Sequence, residues 1–252
     1  MTAKQIFTVF LALVLFLLPA CAAGDTQSAS PTPSPAAEGS TVPVETETLT
    51  ARVVAVYDGG GLLLAGKNEI YRNTLPDGQT YPVGTMLDIT YSGGVQEIYP
   101  AQLCEIESVT VREAEFDDRC ALYMDVFDEL WKTDDALQAD TAYLGIDLSR
   151  TSLTATEQAA LAWRLGELYE KEPFSGTYEK LCQEGYIDSD KLYWQDGCLL
   201  TIEETETDEN HVTFDARKWR GGDGAYFLTD CTASRGKNGA WGDYTVGGYA
   251  IS

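Results

Sequence analysis

The sequence predicts an α+β protein in two parts: a small five-stranded β-barrel, then a domain in which helices pack on an antiparallel sheet. Three observations predict it. Between Leu49 and Val111 apolar and polar side chains alternate, broken only by glycine-rich turns. From Phe116 to Glu184 the apolar spacing becomes three and four residues, the period of a helix face. Beyond Leu192 short β-type runs return, joined by polar or glycine-rich segments.

In the first part, Leu49, Ala51, Val53, Ala55 and Tyr57 share one face of a strand, which Asp58-Gly59-Gly60-Gly61 turns into Leu62-Leu63-Leu64. A strand at Ile70-Tyr71 ends at the turn Leu75-Pro76-Asp77-Gly78. Val83-Gly84 leads into the run Thr85–Tyr91, and Ser92-Gly93-Gly94 is expected to turn it into a short strand at Val95–Ile98. The last strand covers about Leu103 to Val111. Short strands without a helix in this length point to an OB-like barrel, closed or partly open, over residues 49–112.

In the second part, residues 113–252, Phe116, Cys120, Tyr123, Phe127, Leu130 and Trp131 make one apolar helix face, with Asp117, Asp118, Asp125, Asp128 and Glu129 largely opposite. A strand is expected at Tyr143–Leu148. Thr154-Ala-Thr-Glu157 carries a capping box, in which Thr154 accepts from the Glu157 amide while Glu157 reaches back. The helix it opens places Leu161, Leu165, Leu168 and Tyr169 on one side, and Pro173 limits its length. Thr177–Glu184 is a short helix stopped by Gly185. Strands follow at Leu192–Trp194, Cys198–Ile202, Val212–Ala216, Ala225–Thr232 and Tyr244–Ile251. Helices first and strands after predict an antiparallel sheet with helices on one face.

Ahead of both parts, residues 1–20 read as an export signal: Lys4, an apolar run from Ile6 to Leu18, then small residues. The run is shorter than the roughly 20 apolar residues that span a bilayer. It ends Leu18-Pro19-Ala20-Cys21, which resembles a bacterial lipobox. The resemblance implies cleavage before Cys21 and acyl chains on that residue, each buried methylene contributing roughly 0.8 kcal/mol of membrane affinity. The expected location is the extracytoplasmic face of the cell membrane. Residues 21–48 then form a tether containing Ser-Ala-Ser-Pro-Thr-Pro-Ser-Pro, too poor in apolar residues to bury a core and stiffened by proline.

Losing Lys4 with the leader takes the formal charge from −23 to −24. Such a chain repels nucleic acid, whose binding depends on Lys and Arg displacing counterions, so no nucleic-acid partner is expected. Membrane contact is assigned to the acyl anchor alone. Hydrophobic residues at 44% are enough for real cores. Cys104, Cys120, Cys182, Cys198 and Cys231 are an odd set without a Cys-x-x-Cys spacing, and their apolar neighbours mark them as small buried residues.

Three stretches of the first part carry a family likeness. Thr50-Ala-Arg-Val-Val-Ala-Val56, Val83-Gly-Thr-Met-Leu-Asp-Ile-Thr-Tyr-Ser-Gly93 and Glu97-Ile-Tyr-Pro-Ala-Gln102 resemble the YobA-like domain of secreted Firmicutes proteins, with Thr85 in place of an acid and Ile98 in place of a serine. The resemblance covers residues 49–111 and implies an OB-like barrel, with no established activity. Phe214-Asp-Ala-Arg-Lys-Trp-Arg220, Gly224-Ala-Tyr-Phe-Leu-Thr-Asp-Cys231 and Ala250-Ile-Ser252 are similar to C-terminal regions of other Firmicutes lipoproteins, which imply no catalytic residues.

Chemistry-bearing residues are few. The single histidine, His211, follows the acidic run Glu203–Asn210, a hairpin tip that cannot shelter a catalytic base. The acid pairs Asp117/Asp118 and Asp134/Asp135 fall where an amphipathic helix exposes them. An envelope hydrolase working through carboxylates of the second domain is the alternative to a binding protein. Asp188-Ser-Asp190 lacks the glycine and glutamate of a calcium loop, so neither metal nor other cofactor is expected. Arg217-Lys218-Trp219-Arg220 is the one dense cationic cluster. On a strand Arg217 and Trp219 share a face and can contact an anion or partner, while Lys218 and Arg220 face the other way; the favoured alternative is that the cluster balances the charge of neighbouring acidic strands. Tyr91 and Tyr99, with Tyr57, Tyr71 and Tyr81, are candidates to line a barrel groove for an oligosaccharide or peptide. The function expected is therefore a non-catalytic, lipid-anchored module that binds an envelope protein, peptide or glycan.

Overall fold

A computed structural model describes residues 45–252; the leader, Cys21 and most of the tether lie outside the described residues. The fold is α+β and mostly strand. Five strands, β1 (Glu47–Val56), β2 (Gly61–Ala65), β3 (Ile70–Thr74), β4 (Met86–Gln96) and β5 (Gln102–Val111), form a curled antiparallel sheet in the order β3-β2-β1-β4-β5. Ala51, Val53, Leu62, Leu64, Leu87, Ile89, Tyr91 and Leu103 fill its concave side.

Two departures from simple alternation shape this half-barrel. Pairing of β1 with β2 slips at Val54, so Ala55 and Tyr57 leave the Val53 face and pack outward. Residues beyond such a bulge change faces, because side-chain direction repeats every two residues. Ser92-Gly93-Gly94 is likewise a bulge and not the expected turn. β4 runs straight through it, with Gly93 and Gly94 at φ 73° and 81°, and its pairing to β5 shifts between Ser92 and Val95. The sheet edges approach each other at one end. Arg72 N donates to Ala101 O and Ala101 N donates to Ile70 O, a parallel bridge from β3 towards the start of β5. The buried Asn73 amide extends it, exchanging hydrogen bonds with the Leu103 backbone at 3.0 and 3.1 Å.

The second sheet has six strands: β6 (Tyr143–Arg150), β7 (Glu172–Ser175), β8 (Gly197–Thr207), β9 (His211–Gly221), β10 (Gly224–Ser234) and β11 (Gly248–Ile251), ordered β11-β10-β9-β8-β6-β7. It is mixed, not antiparallel as expected, because β6 pairs parallel with both β7 and β8. A helix crosses over between β6 and β7, and such a connection returns the chain parallel to where it started. β7 contains Pro173, which marked only a helix boundary in the sequence; as an edge strand it tolerates a missing donor. Leu192–Trp194 forms only isolated bridges, through Tyr193 to Asp188 and Gly221.

α1 (Arg119–Lys132) and α2 (Ala155–Tyr169) lie between the sheets. Their buried arcs are wider than a surface helix needs, since both flanks are covered. α1 contributes Leu122, Tyr123, Val126, Phe127 and Leu130, and α2 contributes Ala160, Leu161, Ala162 and Leu165, to one core that includes Val54, Leu63 and Ile70 of the half-barrel. Leu144, Ile146, Leu200, Phe214 and Leu228 of the second sheet complete it. Leu168, expected on the buried side of α2, is exposed. The third helix, α3 (Tyr178–Gln183), packs through Leu181 on Leu199 and Trp194. Leu199 and Leu200 point to opposite faces, so the second sheet carries helices on both sides and not on one.

The capping box at Thr154 and Glu157 is present in both halves. Glu157 also joins the layers: one oxygen accepts from Thr154 N at 2.8 Å, the other from Arg52 Nε of β1 at 2.6 Å. Tyr57 OH donates to Glu167 at 2.6 Å, and Gly84, at φ +92°, lets the chain touch the Asp118 backbone where a Cβ would clash.

Candidate functional site

A cleft of about 440 Å³ lies at the α2 N-terminus between Arg52, Lys67, Met86, Asp117, Arg119, Ser152 and Glu157. Its arginines and its glutamate are engaged. Arg52 holds Glu157 and the carbonyls of Gly84 and Glu115; Arg119 meets Glu204 at 3.5 Å and the Ser152 hydroxyl and stacks on Trp241. Glu204 in turn accepts from Tyr123 OH at 2.6 Å and from Ser152 N at 2.9 Å. The Tyr123 hydroxyl, buried against that carboxylate, is pushed well above the ordinary tyrosine range.

The acid pair Asp117/Asp118 is half-buried ahead of α1, correcting its expected place on an exposed helix face. Asp117 accepts from Trp241 Nε1 at 2.9 Å and meets Arg235 at 3.3 Å, while Asp118 accepts from Trp241 N at 2.8 Å. These carboxylates anchor the 235–245 segment. Asp134 and Asp135 are exposed in the loop after α1. His211 opens β9, half-buried, its ring nitrogens 3.3 Å from Ser234 and Thr213 hydroxyls. No group of three His, Cys, Asp or Glu side chains is placed to hold a metal among the described residues.

The candidate tyrosines part company. Tyr91 is buried in the half-barrel interior, its hydroxyl donating to Glu47 at 3.2 Å. Tyr99 is 64% exposed in the loop after β4 and meets Trp163 of α2 edge-on, at 5.3 Å between centroids. Both border a cleft of about 290 Å³ floored by Ala159 and Ala162 and walled by Glu172 and Pro173. Trp163 was not singled out in the sequence, where it falls within a helix pattern and far from Tyr99.

The cationic cluster divides as β9 alternation requires. Lys218 is fully buried on the inner face, donating to the carbonyls of Trp131, Thr133 and Asp134 and to Gln138. It terminates α1 by capping its last carbonyls, and burial lowers its pKa. Arg220 donates to Ala136, Ala139 and Gln195 carbonyls. Both cations are thus held by carbonyls; internal charge balance against acidic strands is not what holds them.

Arg217 and Trp219 lie on the outer face. In the register, Thr201, Arg217 and Phe227 form one rung across β8, β9 and β10, and Leu199, Trp219 and Ala225 form another. Tyr178 of α3 stands edge-on over Trp219 at 5.2 Å. Arg217 lines two cavities: one of about 280 Å³ with Tyr178, Leu192 and Trp219, and one of about 190 Å³ with Thr201, Asp215 and Phe227.

Cys120, Cys198 and Cys231 are buried thiols, as their neighbours suggest, and burial pushes the last two up to about 12. Cys104 is exposed and Cys182 half-exposed, because Leu103 and Leu181 take the inward position beside each. No helix among the described residues is long and apolar enough to cross a membrane. Comparison with protein-family models, with curated proteins and with solved structures gives no match to this chain.

Proposed function

We propose that this chain is a non-catalytic ligand-binding module, held at the outer face of the cell membrane by acyl chains on Cys21 and presenting the outer face of its second sheet. The observation that carries the binding reading is Arg217, a positioned cation without a partner, beside Trp219 on an open sheet face. The carboxylates that a hydrolase would need favour the same reading, since Asp117, Asp118, Glu157 and Glu204 already accept hydrogen bonds that join the layers. The anchor rests on the lipobox-like ending and the tether behind it.

An OB-like identity for the half-barrel belongs to the same proposal. The order β3-β2-β1-β4-β5 and the parallel return of β3 to the start of β5 support it, as does the likeness to the YobA-like domain. Membrane contact comes from the lipid alone, with no nucleic-acid partner, as the acidic balance requires.

Two measurements test the proposal. Cells fed a labelled fatty acid are expected to label the wild-type chain and bring it down with membranes, and Cys21→Ala is expected to do neither. An unlabelled wild-type chain, or normal processing and membrane retention of Cys21→Ala, overturns the anchor. Arginine- and tryptophan-labelled full-length protein, titrated in detergent with small acidic, neutral and basic aromatic fragments, is expected to respond at Arg217 and Trp219. Responses only elsewhere overturn the assignment of the site.

A further inference from the structure

Every other arginine among the described residues is held by a carboxylate, a hydroxyl or a backbone carbonyl. Arg217 makes no such contact. Its Nε is buried without a partner, as is the hydroxyl of its cross-strand neighbour Thr201. Arg119, Arg220 and Arg235 also bury an unpartnered Nε, yet each uses its terminal nitrogens within the fold. A stem packed between Thr201 and Phe227 therefore presents a fixed, unused guanidinium at the surface of a strongly acidic chain.

The acids around it are occupied or displaced. Glu203 pairs with Arg150 at 2.5 Å, Asp215 accepts from Asp230 N at 2.9 Å, and Glu179 is held low chiefly by hydrogen bonding at the start of α3. None of them comes within ion-pair distance of Arg217, although its charge also helps to hold Glu179 low. Beside the guanidinium, the 280 Å³ cavity offers the Trp219 ring, the Tyr178 edge and the exposed Leu192, with the Glu179 carboxylate also on its wall. The Tyr178 hydroxyl is buried on the same face, with the Cys182 thiol as its hydrogen-bonding neighbour.

We propose that the outer face of the second sheet binds a small molecule carrying one carboxylate on a flat apolar body. The carboxylate takes two parallel hydrogen bonds from the terminal nitrogens of Arg217, the geometry in which guanidinium outperforms ammonium. The apolar body lies in the cleft of Trp219, Tyr178 and Leu192, whose size admits a single ring with a short substituent. Charge complementarity gives the class: a positioned cation that makes no hydrogen bond of its own, walled by aromatics and with Glu179 to one side, selects an aromatic or similarly flat monocarboxylate over its neutral amide. This inference rests on the binding reading above and narrows it to one ligand chemistry.

The test uses the full-length protein in detergent with ¹⁵N-labelled arginine and tryptophan, the Arg217 and Trp219 signals being assigned by their loss in Arg217→Gln and Trp219→Phe. The probes are N-acetylphenylalanine, its carboxamide and phenethylamine. N-acetylphenylalanine is expected to shift both signals with saturation, and the carboxamide to bind at least tenfold more weakly. Arg217→Lys is expected to weaken the acid at least tenfold while leaving the other arginine signals in place, which shows the variant folded. Equal response to acid and amide, or a preference for the amine, overturns the carboxylate class and leaves the site standing. No shift at Arg217 or Trp219 with any probe overturns the class and the site together.

Discussion

The two faces of the second sheet treat the same four-residue run in opposite ways. On the inner face Lys218 and Arg220 donate to carbonyl oxygens, most of them at the end of α1 and in the segment after it. On the outer face Arg217, one residue away, makes no hydrogen bond or close ion pair within the fold. The inner face is sealed: Phe214, Ala216 and Leu228 meet α1, which separates them from the half-barrel. The outer face is covered only in part, by α3 and Trp194. A cation enclosed by carbonyls belongs to the fold, whereas one of equal charge held at an open surface remains available to a ligand.

Substitutions can break this contrast, beginning with the strongest. Phe214→Ala opens a cavity against Tyr123 and Tyr244 and is expected to cost about 4 kcal/mol in urea unfolding. Phe227→Ala, on the outer face, is expected to cost less than half as much, because solvent already reaches that ring. Equal losses would erase the difference between the faces. Lys218→Ala strands the carbonyls of Trp131, Thr133 and Asp134 and is expected to cost about 3 kcal/mol. A near-neutral Lys218→Ala would show that this cation is dispensable to the end of α1.

A gentler probe addresses the contact between the half-barrel and α2. Burial, helped by the hydrogen bond to Glu167, pushes the Tyr57 hydroxyl up to about 12. An unfolded tyrosine ionises near 10, so between pH 10 and 12 the unfolded state holds fewer protons than the folded one. Stability is therefore expected to be complete below pH 10 and to fall as pH rises towards 12. Tyr57→Phe should flatten that decline relative to wild type, and identical pH profiles would remove Tyr57 from the contact. Tyr123 and Tyr244 shift in the same direction, which makes the difference between the two proteins the informative quantity.

Much of the fold was legible because local rules and burial agreed. The capping box at Thr154 formed as its spacing requires, and alternation assigned Arg217 and Lys218 to opposite faces of β9. Alternation failed at Val54 and at Gly93-Gly94, where bulges, set by pairing with a distant strand, reverse or prolong the pattern. The parallel pairing of β6 was hidden for the same reason: a four-residue edge strand containing proline has little signal of its own. At the site, residue types showed that Arg217 and Trp219 could act together. Tyr178, Leu192 and Thr201 had to be brought beside them by the sheet register and α3. Trp163 meets Tyr99 only because α2 packs on the half-barrel, a contact 64 positions apart along the chain.

The most direct measurement compares Arg217→Gln with Lys218→Gln in urea unfolding, with N-acetylphenylalanine binding followed on the same samples. Lys218→Gln is expected to lose about 3 kcal/mol. Arg217→Gln is expected to stay within about 0.5 kcal/mol of wild type while its affinity for the acid falls at least tenfold. A loss of stability in Arg217→Gln comparable to that in Lys218→Gln, with binding unchanged, would make Arg217 a cation of the fold and contradict the account.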